Sequence, residues 1–197
     1  MNKFMTIIAG MLLVATAAFS QATWNLDNAH SSVKFSVSHL IISEVEGNFR
    51  SFTGSLRSDK SDFSDAQVTF AVDVASINTE NEGRDKHLTT DDFFNAEKYP
   101  KMSFKSVSWK KVDEHNFALE GDLTIRDVTK RVTFAVKNGG TIQDPWGNTK
   151  SGFKAIATIN RFDYGLKFNA LTEAGSAVVG KDVTITLNLE FAKQKSS

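Results

Sequence analysis

From residue 30 onward, apolar residues return at every second position. Val33, Phe35, Val37 and His39 share one face against Lys34, Ser36 and Ser38, and Val68, Phe70, Val72 and Val74 oppose Thr69, Ala71 and Asp73. The same beat runs through Phe117, Leu119, Gly121, Leu123 and Ile125, then Val132, Phe134 and Val136, and most regularly through Val183, Ile185, Leu187, Leu189 and Phe191. A period of two sends alternate side chains to opposite faces of a strand, so each of these segments has one buried and one wet face, as antiparallel sheet requires. With the segments around residues 45–56, 102–109 and 153–163 the strands number eight. An open sheet of that width exposes two edges, whereas a closed one exposes none. The pattern therefore predicts an all-β fold, an eight-stranded antiparallel β-barrel.

Departures from the beat carry information of their own. Apolar parity switches from Val45 and Phe49 to Phe52 and Leu56, which predicts a β-bulge near Arg50, and again from Met102 and Phe104 to Val107 and Trp109. Turns are expected at Asn138-Gly139-Gly140 and at Asp144-Pro145-Trp146-Gly147. Residues 81–99 do not alternate at all. They read as short helical turns, with Thr89, Thr90 and Asp91 as possible caps and Pro100 beyond the end. No internal repeat or low-complexity linker interrupts the chain, so residues 21–197 are expected to form one barrel domain with a short helical insertion.

Residues 1–20 have a different character. Lys3 precedes an apolar, uncharged run from Ile7 to Ala18, and Ala18-Phe19-Ser20 places small residues where a signal peptidase needs them. Cleavage before Gln21 and a periplasmic or secreted location are expected. The run falls short of the roughly 20 residues that span a bilayer, so no integral membrane segment is expected after cleavage. The 23 basic and 23 acidic residues balance, which argues against a nucleic-acid partner, and the absence of cysteine removes disulfides and thiolate chemistry. A homodimer is compatible with such a chain.

A barrel of about eight strands can be filled by side chains or can hold one ligand. Ala155 and Ala157 share the face of Phe153 and Ile159, and Gly121 sits among apolar positions; these small residues either leave a cavity or face bulky partners. His39 continues one inward face, and Arg161 with Asp163 continues another. That pair reads either as a structural ion pair or as a polar clamp for a ligand head group. In the helical insertion Arg84, His87 and Leu88 stand at i, i+3 and i+4. They share one face, either solvated or pressed against the barrel.

At these residues the sequence resembles the YceI-like family of exported lipid-binding proteins. The resemblance covers the chain from Trp24, Asp27 and His30-Ser31 through Arg84-Asp85, His87-Leu88, Asp92-Phe93-Phe94 and Tyr99-Pro100 to Arg161, Asp163, Gly165 and Val179-Gly180. It implies a lipocalin-like barrel around a long apolar channel that binds a polyisoprenoid, quinone-like, fatty amide or fatty acid molecule, for storage, transport or stress response. By the same resemblance, His30, His39, Arg84, His87, Arg161 and Asp163 form the polar end of the pocket, and Phe35, Phe49, Phe104, Phe153, Ala155 and Ala157 its walls. Where the family often carries glycine and proline, this chain has Asp127 and Arg131, which puts one turn conformation in question.

Other chemistry finds less support. Four histidines without compact ligand spacing argue against a metal site, and no cofactor is expected. A hydrolase or isomerase would take His30 or His87 as base, oriented by Asp27, Asp85 or Asp163. No nucleophile elbow, phosphate loop or dinucleotide fingerprint accompanies them, so binding is preferred over catalysis.

Overall fold

The structure, a computed structural model, describes residues 22–195; the expected leader and its cleavage point before Gln21 lie outside the described residues. The chain forms β1 (Thr23–Leu26), β2 (Ser32–His39), β3 (Ser43–Phe49), β4 (Phe52–Arg57), β5 (Gln67–Asp73) and β6 (Ile77–Asn78). There follow α1 (Glu82–Leu88), β7 (Lys101–Lys111), β8 (Asn116–Ile125), β9 (Val128–Gln143), β10 (Thr149–Asn160) and β11 (Val179–Lys193). Eight strands close a ring in the order β1-β4-β5-β7-β8-β9-β10-β11 and back to β1, every neighbour antiparallel. The eight-stranded barrel expected from the alternation is present. β2, β3 and β6 extend one side of it: β11 pairs with β2 through Asn188 and then with β1 from Phe191 to Lys193.

The interruptions follow from particular residues. Between β1 and β2 the Asp27 carboxylate accepts from the Ala29 amide at 3.1 Å and starts a single 3-10 turn. Between β3 and β4 the expected bulge is a full break at Arg50 and Ser51, where the Arg50 amide leaves the ladder and donates to the Ser76 carbonyl at 3.1 Å. The break lets both Phe49 and Phe52 face inward, which explains the parity switch. In β7 the bulge falls between Ser106 and Ser108. Val107, grouped by parity with the inward residues, is itself the bulged residue and is exposed, while Trp109 resumes the inward face.

Two expectations for the loops are corrected. Asn138-Gly139-Gly140 does not reverse the chain: β9 runs through it, and the glycines absorb a one-residue register shift opposite Gly152 and Phe153. The reversal comes at residues 144–147, where the Asp144 carboxylate accepts from the Trp146 and Asn148 amides. Thr89 and Thr90 do not start a second helix. Their hydroxyls donate to the Lys86 and His87 carbonyls, each at 2.8 Å, and so close the end of α1, whose start is capped by the Asn81 side chain. The rest of the insertion is turns.

One end of the barrel is sealed. The loop 58–66 is gathered by the Asp65 carboxylate, which accepts from the Ser58 hydroxyl and the Asp59 and Lys60 amides. It drives Phe63, 1% exposed, into the barrel, 5.1 Å from the rings of both Trp24 and Phe153. Trp109, Phe117 and Phe191 complete the plug. Gly121 does not leave room for a ligand as its position suggested. The Phe104 ring lies over it so closely that a Cβ would collide with the ring.

Candidate functional site

Above the plug the barrel encloses a cavity of about 360 Å³ with an almost wholly apolar wall. Phe35 and Val37 from β2, Ile185 and Leu187 from β11, and Ala155 from β10 form part of its side. Ala155 stands in register with Leu187 on one neighbour and Val136 on the other, so its small side chain keeps the space between them open. At the end opposite the plug the wall passes to α1 and to the segment after β10. There His39, Arg84, His87 and Arg161 border the cavity, and Arg84 and His87 also reach solvent.

Of the residues expected to form the site, Phe35, His39, Phe49, Arg84, His87, Phe104, Phe153, Ala155 and Arg161 all line this cavity. Three do not. His30 lies exposed on the outside of the sealed end, its Nδ1 2.9 Å from the Asp27 carboxylate. Ala157 is buried on the expected face but does not border the cavity. Asp163 points outward, 3.9 Å from Lys130. The reason is local: the Asn160 side chain caps a 3-10 turn over Arg161–Tyr164, which ends strand parity one residue before Arg161. The expected Arg161–Asp163 pair is therefore not formed.

Arg161 is held instead by backbone. It is 3% exposed, and its guanidinium donates to the carbonyls of Gly180 at 2.7 Å, Leu166 at 2.9 Å and Val179 at 3.1 Å. Burial lowers its pKa from the ordinary arginine value. Arg84 donates to the Thr79 hydroxyl and carbonyl, and that hydroxyl donates in turn to Asp85. The His87 ring stands edge-on to Phe93 and Phe168, with Nε2 2.9 Å from the Asp92 carboxylate.

The mouth also depends on a residue that the sequence did not single out. In the two-residue turn between β8 and β9 it is Arg126, not Asp127, that takes a positive φ of 56°. Its guanidinium donates to the carbonyls of Asp91, Phe93 and Gly165, tying the helical insertion to the segment after β10. Phe168 was likewise missed, because it lies in an irregular stretch with no periodicity to mark it.

On the outer face of the sealed end, Asp27, His30 and Glu190 offer ligand atoms within 4.8 Å of one another. The place of a cation there is taken by the Lys150 ammonium, 2.9 Å from Asp27 and 2.7 Å from Glu190. Hydrogen bonds from Lys150 and then His30 hold the Asp27 carboxyl down at about 2. The cluster ties β1, β10 and β11 together.

A closed antiparallel barrel around an apolar cavity with a polar mouth defines a barrel ligand-binding protein. The chain belongs to the YceI-like family, whose domain matches residues 24–191. A UPF0312 protein of Staphylococcus aureus strain MSSA476 is 40% identical over 172 residues, covering 86% of this chain and 96% of that protein. Among solved structures, the Campylobacter jejuni YCEI protein superposes with a TM-score of 0.69 at 28% identity, covering 98% of this chain and 100% of that one. A polyisoprenoid binding domain from Saccharophagus degradans, implicated in plant cell wall breakdown, shares the fold at a TM-score of 0.64 and 16% identity, covering 89% of this chain and 100% of that domain.

Proposed function

We propose that this protein is an exported carrier or store for a long-chain lipid, a polyisoprenoid or a quinone-like, fatty amide or fatty acid molecule. Its chain lies along the cavity and its polar head at the mouth. The observation that carries the reading is the cavity itself: an apolar tube sealed at one end and rimmed by His39, Arg84, His87 and Arg161 at the other. That polarity matches a molecule with one long apolar part and one polar end. Burying ten methylenes contributes roughly 8 kcal/mol at about 0.8 kcal/mol each, against an association cost of at least roughly 4 kcal/mol. The S. degradans domain, named for polyisoprenoid binding, supports the same class of ligand through its fold. Export is supported by the leader pattern of Lys3, the apolar run and Ala18-Phe19-Ser20. The His87–Asp92 pair offers a base beside the cavity, but among the described residues that line the cavity no nucleophile is joined to it by a hydrogen bond.

The test is mass spectrometry of protein purified from its native cells, intact and after organic extraction. The expected results are a chain beginning at Gln21 and a stoichiometric long-chain lipid in the extract. Recovery of a chain that retains residues 1–20 would refute cleavage before Gln21, and its recovery from the cytoplasm would refute export. An empty extract, together with failure to take up any long-chain lipid in vitro, would refute the binding role.

A further inference from the structure

The turn that joins β2 to β3 consists of Leu40, Ile41 and Ile42, between the paired residues His39 and Ser43. Both its backbone and its side chains are at odds with that place. Leu40 and Ile41 have φ of 51° and 67°, in the left-handed region where a branched side chain crowds the backbone. Short hairpin turns of this kind ordinarily carry glycine, asparagine or aspartate. Burial within the chain does not offset the strain, because Ile41 is 74% and Ile42 85% exposed. Three successive aliphatic residues in a strained, exposed turn are not what folding alone selects, and such local conflicts cluster where a protein does its work.

The turn stands at the mouth of the barrel. His39, just before it, borders the cavity, and the Leu40 amide donates to the carbonyl of Val178, another cavity-lining residue, at 3.0 Å. The Val178 amide donates in turn to the Ala170 carbonyl, and the adjoining Leu171, bridged to Ala177, is 59% exposed. An aliphatic surface thus runs from the cavity wall out over the tips of two neighbouring turns. Exposed apolar side chains also occur at the sealed end, on Ile142 and Trp146. There the backbone is relaxed, since Gly147 takes the positive φ and the Asp144 carboxylate accepts from the Trp146 amide, and the aromatic plug lies at that end in place of the cavity.

The aliphatic tips are too small for a stable protein interface. Leu40, Ile41, Ile42 and Leu171 fall far short of the roughly 20–30 residues a side that such an interface uses, and they include no aromatic or arginine anchor. A bilayer makes neither demand, because aliphatic side chains on a convex tip can enter the acyl boundary singly. The exposed charges near the tips in sequence are of both signs, Glu44 and Glu173 with Lys167 and Lys181, which gives anionic lipid no advantage.

We infer that the β2–β3 turn, with Leu171 beside it, docks the mouth of the barrel on a phospholipid bilayer, so that a long-chain ligand passes between cavity and membrane without crossing water. The inference rests on the lipid-binding reading above and adds where loading and release take place. A few aliphatic side chains give a weak, reversible attachment, as repeated delivery requires.

Flotation with phosphatidylcholine vesicles tests the docking, on protein made in its native cells with its N-terminus fixed by the mass measurement above. Wild-type protein should float with the vesicles in low and high salt alike. Ile41→Asn combined with Ile42→Ser should lower the partition coefficient about tenfold or more, through loss of two inserted side chains. Asparagine tolerates the left-handed backbone, so this variant should unfold at the same urea midpoint as wild type or a higher one. Trp146→Ser, at the sealed end, should float as wild type does. Delivery can be followed with cis-parinaric acid, a fluorescent long-chain fatty acid. Its equilibrium binding should be equal in wild type and the double variant, while its transfer to vesicles should be about tenfold slower in the variant and no longer rise with vesicle concentration. Uptake of long-chain lipid by a wild-type protein that does not float would overturn the docking alone. A double variant that floats as well as wild type would also overturn it, as would a dimer that the double substitution splits, since the turn would then face a second copy. Failure to take up any long-chain lipid would refute the lipid-binding reading and this inference with it.

Discussion

At the end of the barrel near the termini, Trp24, Phe63, Trp109, Phe117, Phe153 and Phe191 meet ring against ring inside, and the Lys150 ammonium clasps Asp27 and Glu190 outside. At the opposite end the wall gives way to α1 and the segment after β10, and what holds those pieces is hydrogen bonding from two arginines. Arg126 donates to three backbone carbonyls and Arg161 to three others. Apolar burial dominates at the first end, whereas at the second the buried Phe93, Tyr164 and Leu166 are joined by a set of satisfied backbone carbonyls. Apolar burial is insensitive to small displacements, whereas a hydrogen-bonded rim has discrete arrangements that a ligand can exchange for its own. Stability and binding are therefore assigned to opposite ends of one tube and should respond to different mutations.

The largest separation is expected from Phe63→Ala. Removing a fully buried ring from the plug should cost about 3–5 kcal/mol, read as a lower midpoint in urea, while head-group preference stays as in the wild type. A large change in preference with little loss of stability would erase the distinction between the ends. Acid titration gives a smaller effect at the same end. The Asp27 carboxyl is depressed from 3.8 to about 2 in the folded protein, so its contribution is present above 3.8 and is lost as pH falls toward about 2. Asp27→Asn should remove that part of the acid sensitivity, about 1 kcal/mol, and leave the mouth unaffected. The smallest change in stability should come from Ala155→Trp. An indole placed in the cavity should leave the ligand-free protein within about 1 kcal/mol of wild type, in contrast to the overpacking of a filled core, yet abolish long-chain binding. Ile156→Trp, on the outer face of the same strand, is the control and should bind normally. Unfolding of Ala155→Trp would mean that the space beside Leu187 is not available to a ligand.

The comparison between the ends also explains what could be read from the chain. The alternation of Val68, Phe70 and Val72, or of Phe117, Leu119 and Leu123, is a direct record of one buried face, and it yielded the barrel and most of its strands; β1 and β6 are too short to show it, and the stretch 45–56, read as one strand, is β3 and β4. The same rule placed Phe35, Phe153 and Ala155 on inward faces, and the resemblance made those faces the wall of a channel. It failed where the backbone stops being a strand. Asp163 was assigned inward by extending the period of β10 past Asn160, but a 3-10 turn has three residues per turn and sends that side chain out. His30 was drawn into the pocket by resemblance, although the 3-10 turn over Asn28–His30 leaves it on the outer surface. Gly121 illustrates a different blind spot. A small residue marks either a void or a neighbour's ring, and only the cross-strand register, which sets Ser106 opposite it and brings Phe104 over it, decides between them. Arg126 left no signal because its role is to bond carbonyls, and any residue presents a carbonyl.

The pairing of β11 has a consequence for how the chain comes to be folded. Its early residues lie along β2 and its late ones along β1, so the seam of the barrel joins residues near 24 to residues near 193. The ring cannot close until the ribosome has released the chain beyond Lys193, and until then the faces destined for the plug and the cavity stay open to water or to a chaperone. Closure at such long sequence separation is slow compared with the formation of local hairpins such as β8–β9. A chain cut anywhere between Asn188 and Phe191 would keep its β2 pairing yet leave β1 without its β11 partner, with Phe191 missing from the plug. Newly made protein should accordingly pass through a period in which the hairpins exist and the tube does not.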